Sequence, residues 1–514
     1  MTRVCVIGLD GATWDLLDPM MKRGKLPKLK RFKKKGIWGK LRSTIPPATG
    51  TAWPSFATGC YPHKHGIFDF VKFKENHDTR IVTAEDIQVP TIFEYLDTVG
   101  KKTIVINHPL TYGMKLENGM IFADFLSPKR YAYPKKAIKY LDDYRLFWDR
   151  YDSIGTSPEE ITEDIIDVEQ KRLKLVKKLI GKNWDLFFVL FSGTDWISHR
   201  YYSDMKEWNQ KGKIAFRVFE FVDNALEEIN EFLPEDSVLM IMSDHGFSSK
   251  KYSFNINYWL STKGFLKFER TKATTTSLLT KMREDQTREK KQNLKKFMKK
   301  ILLKILIKVG IIKNYRLDWD SSLTYIPTHN CFGLYLNKNV VEDYKAFTRK
   351  LIQDLKGLTY LETKEKVFSF VDKTENIYGK KPKNAPDILF LLHNIFSHSC
   401  VTNYTSREKI KIFSDMKEGD DHSLYGIFLA HGKQIKSHNQ IEDLNIEDIA
   451  PTILNLMNYC TPKHMDGKSF IEHISTEKLK DFQANKVLIK NKKIKTKLEK
   501  IKIEEKLKTL KHIL

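Results

Sequence analysis

The chain has 514 residues, enough for several average domains or for one large α/β catalytic domain carrying insertions, and the second arrangement is the expectation here. Lysine and arginine number 88 against 64 aspartates and glutamates, a net charge of +24 that favours anionic partners such as phosphates, acidic lipids or nucleic acid without choosing among them. Cys5, Cys60, Cys331, Cys400 and Cys460 show no CxxC spacing and lie mostly in apolar contexts, which argues against a disulfide scaffold and for reduced thiols in a cytoplasmic protein. The first strand begins too near Met1 for a signal peptide, and no uncharged apolar run reaches the roughly 18 residues of a membrane span.

In chain order, the apolar run Val4 to Leu9 predicts a strand and Trp14 to Met21 a helix. Trp53 to Thr58 reads as a helix, Thr103 to Asn107 as a strand, Glu163 to Ile180 as a long amphipathic helix, and Leu186 to Phe191 as a strand. Phe216 to Phe232 gives another helix, and Val238 to Met242 the strand before Asp244. Strands alternating with helices imply a mostly parallel sheet covered by helices on both faces. From Leu266 to about Asn314 the pattern breaks into a Lys-rich stretch of helical character. Strands resume at Leu323 to Ile326 and Phe332 to Leu336, and DIAPTILNLM is a closing helix. The expected layout is a first core part over 1–265, a basic helical insertion over 266–314, a second core part over 315–475, and a Lys-rich tail over 476–514.

Several polar residues stand where these apolar strands end: Asp10 in VCVIGLDGATWD, Asp195 and His199 in FVLFSGTDWISH, and Asp244 with His245 in VLMIMSDHGF. Ligands of open α/β sheets bind outside the carboxyl ends of the strands, so these residues should converge. Each has a plainer reading alone. Asp10 could cap a helix, Asp195 and His199 could share a helix surface at i, i+4, and His422 in GDDHSLYGIF could sit in a polar loop. Mixed Asp and His ligands suit zinc or manganese better than calcium. A phosphate ester repels nucleophiles, and two cations about 3.5 to 4 Å apart would neutralise its oxygens and activate the attacking group.

The ordered set of motifs, from the strand-Asp start through PPATGTAWPSFATG and YPHKHGI to SDHG and APTILNLMNYCTPKHMDGK, resembles the alkaline phosphatase superfamily, in its type I phosphodiesterase and nucleotide pyrophosphatase branch, over roughly Arg3 to Lys468. The resemblance implies two divalent ions, usually zinc, with one held by Asp10, Asp244, His245 and the Thr49 oxygen and the other by Asp195, His199 and His422. Thr44, Thr49 and Thr51 could each cap the following helix, but the family places its nucleophile ten positions before the Gly of a TG pair, which lands on Thr49. Gly50 would then let the backbone approach the substrate, and Asn107 could line the pocket. Phe70 stands where the family's pyrophosphatases carry an Asn donor.

The implied activity is hydrolysis of a phosphoester through a phospho-threonine. A phosphomutase or phosphotransferase on the same site is the first alternative, and a catalytically silent membrane-associated binding protein the second. Expected partners are a phosphorylated small molecule or a lipid-linked substrate, with no signature of specific nucleic-acid binding; oligomeric state is not legible. Lys296, Lys300, Lys304 and Lys308 form one stripe on an otherwise apolar stretch from Lys295 to Lys313, which fits either a lid or a helix lying on an anionic membrane, here at the inner face. His63 and His65 read as loop histidines, and FNINYWLSTKGFL as a helix with Trp259 and Leu260 in the core.

Overall fold

The computed structural model describes residues 2–73, 79–123, 125–141, 144, 157–271, 313–328, 331–382, 384–405, 408–416, 419–435 and 439–474, with residues 497 and 499. The Lys295–Lys313 segment lies outside the described residues, apart from Lys313, as does nearly all of the 476–514 tail.

Three apolar runs that the sequence marks as strands lie side by side at the centre. Arg3–Leu9 pairs in parallel with Leu186–Phe191 on one side and Ser237–Met242 on the other. Each is apolar at successive positions because both its faces are covered. Val4 and Val6 enter one hydrophobic cluster while Cys5, Ile7 and Leu9 enter another, and the same alternation divides Phe187 and Val189 from Leu186 and Phe188. The full sheet has nine strands, in the order Gln440–Asn445, Ile37–Arg42, Tyr425–His431, Ser237–Met242, Arg3–Leu9, Leu186–Phe191, Thr103–Ile106, Met120–Ala123 and Tyr131–Tyr133. Tyr425–His431 runs antiparallel to both its neighbours, and Tyr131–Tyr133 antiparallel to Met120–Ala123; the other pairs are parallel.

Helices Trp14–Lys22, Pro158–Ile180, Gly193–Glu207 and Gln210–Glu231 pack on one face, and Thr49–Thr58, Ile92–Thr98 and Ile449–Leu456 on the other. The α/β architecture expected from the sequence is the one observed. Between Gly246 and Asp420 the chain builds a lobe with its own core, in which Phe254, Trp259, Leu260, Leu334, Phe368, Phe390 and Phe396 are buried together. Its main sheet has four strands, Thr324–Tyr325, Gly333–Leu336, Ile388–Leu392 and Phe368–Lys373.

Three local readings change. Helix formation begins at Thr49, four residues before Trp53, with Ala48 as the N-cap residue. The Lys-rich stretch starts as a strand rather than a helix, since Lys267–Thr271 pairs antiparallel with Asn314–Asp318. The GDDHS segment is no loop but a strand, Asp420–Ser423, laid antiparallel against Gly246–Ser249. None of the five cysteines is in a disulfide; four are buried and Cys460 is exposed. Among the described residues no helix is long and apolar enough to cross a membrane.

Candidate functional site

The carboxyl ends of the three central strands deliver Asp10, Asp195 and Asp244 to one place. The turn after Arg3–Leu9 is tight: Gly11 has φ +66°, a Cβ there would meet the Phe247 ring at 2.4 Å, and its N–H donates to Asp244 Oδ1 at 3.3 Å. Thr194 Oγ1 donates to the Asp10 carbonyl at 2.7 Å and Ser243 Oγ to the Ala12 carbonyl at 2.7 Å, so the three strand ends are tied to one another. Glu169, buried with Arg172, accepts the Gly193 N–H at 2.6 Å and fixes the start of the helix that carries Asp195 and His199. Nothing about Glu169 in the sequence distinguishes it from the other acids of its amphipathic helix.

The imidazoles share one design. His245 Nδ1 lies 3.1 Å from the Gly246 carbonyl, His422 Nδ1 3.1 Å from the Pro47 carbonyl, and His199 Nδ1 3.3 Å from the Asp420 carbonyl. A carbonyl only accepts, so each Nδ1 carries the proton and each Nε2 is left as a lone-pair donor facing inward. His245 Nε2 is 3.3 Å from Asp244 Oδ2, 3.6 Å from Asp10 Oδ1 and 3.0 Å from Thr49 Oγ1. His422 Nε2 and His199 Nε2 are 3.0 Å apart and lie 3.4 and 3.5 Å from Asp195 Oδ1. Two sets of ligand atoms fall within 4.8 Å of one another, Asp10 with Asp244 and His245, and Asp195 with His245 and His422. His245 belongs to both, so the two sets adjoin.

The electrostatics are those of a site short of positive charge. Burial, reinforced by Asp244 and Asp195, pushes Asp10 well above the carboxylate range, and burial raises Asp244 to about 7. Asp195 is pushed up by burial too, but when His199 and His422 are protonated their charge outweighs that and holds it at about 2. Both oxygens of Asp10 and Oδ2 of Asp244 are buried and accept no hydrogen bond. Unsatisfied carboxylate oxygens facing lone-pair nitrogens are the donor set of a divalent cation, and the residues present fit one.

Thr49 opens its helix, and the N–H groups of Thr51 and Ala52 are given to the Ala48 carbonyl. Among the described residues neither Thr49 nor Gly50 gives its N–H to a backbone carbonyl, so both can meet an anion at this helix start. A cavity of about 460 Å³ opens here, lined by Thr49, Gly50, Asp195, His199 and His422 together with Asp69, Phe70, Phe125, Trp196, Phe332 and His398. The lining contains no lysine or arginine among the described residues. Phe70 packs on Gly50, where a Cβ would approach its ring to 3.0 Å, and its ring lies 5.4 Å from that of Phe125.

Asn107 stands apart from the other sequence candidates. It does not line the cavity, and its amide is spent on the Leu190 carbonyl and Ser192 Oγ while its Oδ1 accepts the Phe125 N–H. His65 is likewise committed: Ile67 N–H donates to its Nδ1, so its Nε2–H donates to Ser55 Oγ at 2.9 Å. The cavity residues Phe125, Phe332 and His398 escape the sequence reading because they come from a loop and from the lobe, with no motif around them, and Asp69 escapes it although it stands between the HGI motif and Phe70.

The sheet with its flanking helices has the fold of alkaline phosphatase PafA. The chain belongs to the type I phosphodiesterase / nucleotide pyrophosphatase family, whose model matches residues 4–330. Among solved structures, wild-type alkaline phosphatase PafA is similar with 14% identity and a TM-score of 0.58, covering 92% of this chain and 99% of its own. Phosphonoacetate hydrolase from Sinorhizobium meliloti 1021, in complex with phosphonoformate, has 14% identity, a TM-score of 0.55, and coverage of 89% and 95%. Human ectonucleotide pyrophosphatase / phosphodiesterase 5 has 13% identity, a TM-score of 0.52, and coverage of 91% and 97%. No curated protein matches by sequence.

Proposed function

We propose that the chain is a phosphodiester or pyrophosphate hydrolase that works through a covalent phospho-threonine at Thr49. Asp10, Asp244, His245 and Thr49 would hold one divalent cation and Asp195, His199 and His422 a second, which together supply positive charge against the phosphoryl oxygens and acidify a hydroxyl. Thr49 Oγ1 forms the bond to phosphorus as the bond to the leaving oxygen breaks; water then attacks the same phosphorus and Oγ1 leaves. The N–H groups at the start of the Thr49–Thr58 helix point at the phosphoryl oxygens and stabilise the charge that builds there.

The observation that carries the diester reading is the cavity lining. A phosphomonoester dianion presents three charged oxygens, yet no lysine or arginine side chain faces it among the described residues, and Phe70, Phe125, Trp196 and Phe332 offer apolar surface instead. That surface suits the second substituent of a diester, an aromatic or otherwise apolar one. The test compares bis-p-nitrophenyl phosphate and a nucleoside p-nitrophenyl phosphate with p-nitrophenyl phosphate, each with zinc, manganese or magnesium. The expected kcat/KM favours the diesters by at least about tenfold; a preference for the monoester overturns this reading of the cavity.

A further inference from the structure

The imidazoles that meet near Asp195 come from remote parts of the chain. His199 belongs to the helix Gly193–Glu207 and His422 to the strand Asp420–Ser423, 223 positions later. Their Nε2 atoms nevertheless stand 3.0 Å apart, so something must hold helix and strand in register.

Strand alternation puts Asp420 on the same side as His422 and turns Asp421 the other way, where it accepts from Ser397 Oγ at 2.6 Å in the lobe. On the helix side, the Asp420 carboxylate accepts twice from Ser203, from its N–H at 2.9 Å and from its Oγ at 2.5 Å. The Asp420 main-chain carbonyl meanwhile takes His199 Nδ1 at 3.3 Å. Helical geometry is given up to allow this. Tyr201, at φ −140° and ψ 18°, breaks the helix, and the Ser203 N–H that would have bonded to the His199 carbonyl goes to Asp420 instead. Asp420 is only 6% exposed, and a carboxylate there without Ser203 would be buried with unmet acceptors.

We propose that Asp420 is a positioning residue for the cation site of Asp195, His199 and His422. Its carboxylate pins the helix through Ser203, and its carbonyl fixes the His199 tautomer with Nε2 turned toward His422, so both imidazoles are aligned before an ion arrives. The inference rests on the two-cation reading above. It does not depend on which substrate is cleaved.

The test measures zinc stoichiometry and affinity of the full chain by competition with a chromophoric chelator, for wild type, Asp195→Ala, Asp244→Asn, Asp420→Ala, Asp420→Asn, Ser203→Ala and the Ser203→Ala/Asp420→Ala pair. Thermal melts run in parallel. Removing such an outer partner of a ligand is expected to weaken one of the two ions by about 10- to 100-fold and leave the other unchanged. The affected ion is the one that Asp195→Ala deletes. Ser203→Ala weakens the same ion less, and the double variant is no worse than Asp420→Ala alone, since both act through one link. Asp420→Asn, which keeps a side-chain acceptor for Ser203, recovers part of the loss that Asp420→Ala causes. Wild-type affinity for both ions in Asp420→Ala overturns the proposal, and so does equal weakening of both with a lowered melting temperature, the sign of general loosening. Failure of the two-cation reading looks different: wild type binds fewer than two ions, or Asp195→Ala and Asp244→Asn do not each delete a different one, and the Asp420 proposal then falls with it.

Discussion

Thr49 and Thr51 are two residues apart on the same first helical turn, yet the structure gives them unlike surroundings. Thr49 Oγ1 lies 3.0 Å from His245 Nε2, whereas Thr51 is fully buried with an Oγ1 that makes no hydrogen bond. Thr49→Ala is therefore expected to lower kcat by several orders of magnitude with the fold intact, measured on bis-p-nitrophenyl phosphate. Thr51→Val, which swaps an unsatisfied hydroxyl for a methyl of equal size, should leave kcat unchanged and the melting temperature equal or slightly raised. A dead Thr51 variant beside an active Thr49 variant would move the nucleophile. At this scale the sequence spoke clearly where a polar residue interrupts an apolar run, as at Asp10, Asp195 and Asp244. It was silent on Glu169, Ser203 and Asp420, whose partners are remote in the chain and whose residue types are ordinary.

Among the elements, the helix Thr49–Thr58 shows why its first turn was hidden from the sequence. Gly50 and Pro54 are poor helix residues and Thr49 and Thr51 are β-branched, so propensity points away from a helix until Trp53. Tertiary packing overrides it, because all ten residues are buried. One clamp on this helix is His65, joined to Ser55 Oγ and to the Ile67 N–H. Burial lowers the pKa of His65 from its ordinary 6.5 to about 3, so the folded state keeps it neutral where the unfolded chain takes up a proton. Stability from this source is complete above pH 6.5 and is lost as pH falls toward 3, because the unfolded state then binds more protons. Urea titrations should show a shallower loss of stability between pH 6.5 and 5 in His65→Gln than in wild type, on top of a lower midpoint at pH 7 from the broken clamp. Identical slopes would mean His65 titrates normally in the fold. The strands of the lobe were legible only in part: Thr324–Tyr325 and Gly333–Leu336 fall inside the strands expected at Leu323 to Ile326 and Phe332 to Leu336, whereas the five-residue Lys267–Thr271, in the Lys-rich stretch, is too short to establish a period.

For the molecule as a whole, the site concentrates negative charge inside a folded core. Asp10 and Asp244 are fully buried, with three of their four oxygens unmet. On the two-cation proposal, removing metal with a chelator should lower the melting temperature, since the ions that would offset this repulsion are gone. Asp244→Asn carries one charge fewer, so in excess chelator it is expected to melt above wild type even though it binds less metal. The reverse order in calorimetry would show that the metal-free protein tolerates the full acidic set. The nine-stranded sheet has a further consequence. One end of it is joined to the centre only through Tyr425–His431, which is wedged between Ile37–Arg42 and Ser237–Met242. During synthesis on the ribosome, Ser237–Met242 can pair with Arg3–Leu9 early, but its other edge stays open while the whole lobe is translated. For that interval the nascent chain carries a bare strand edge at its centre, apolar from Val238 to Met242, a natural landing place for chaperones and the point from which a stalled or truncated product would aggregate.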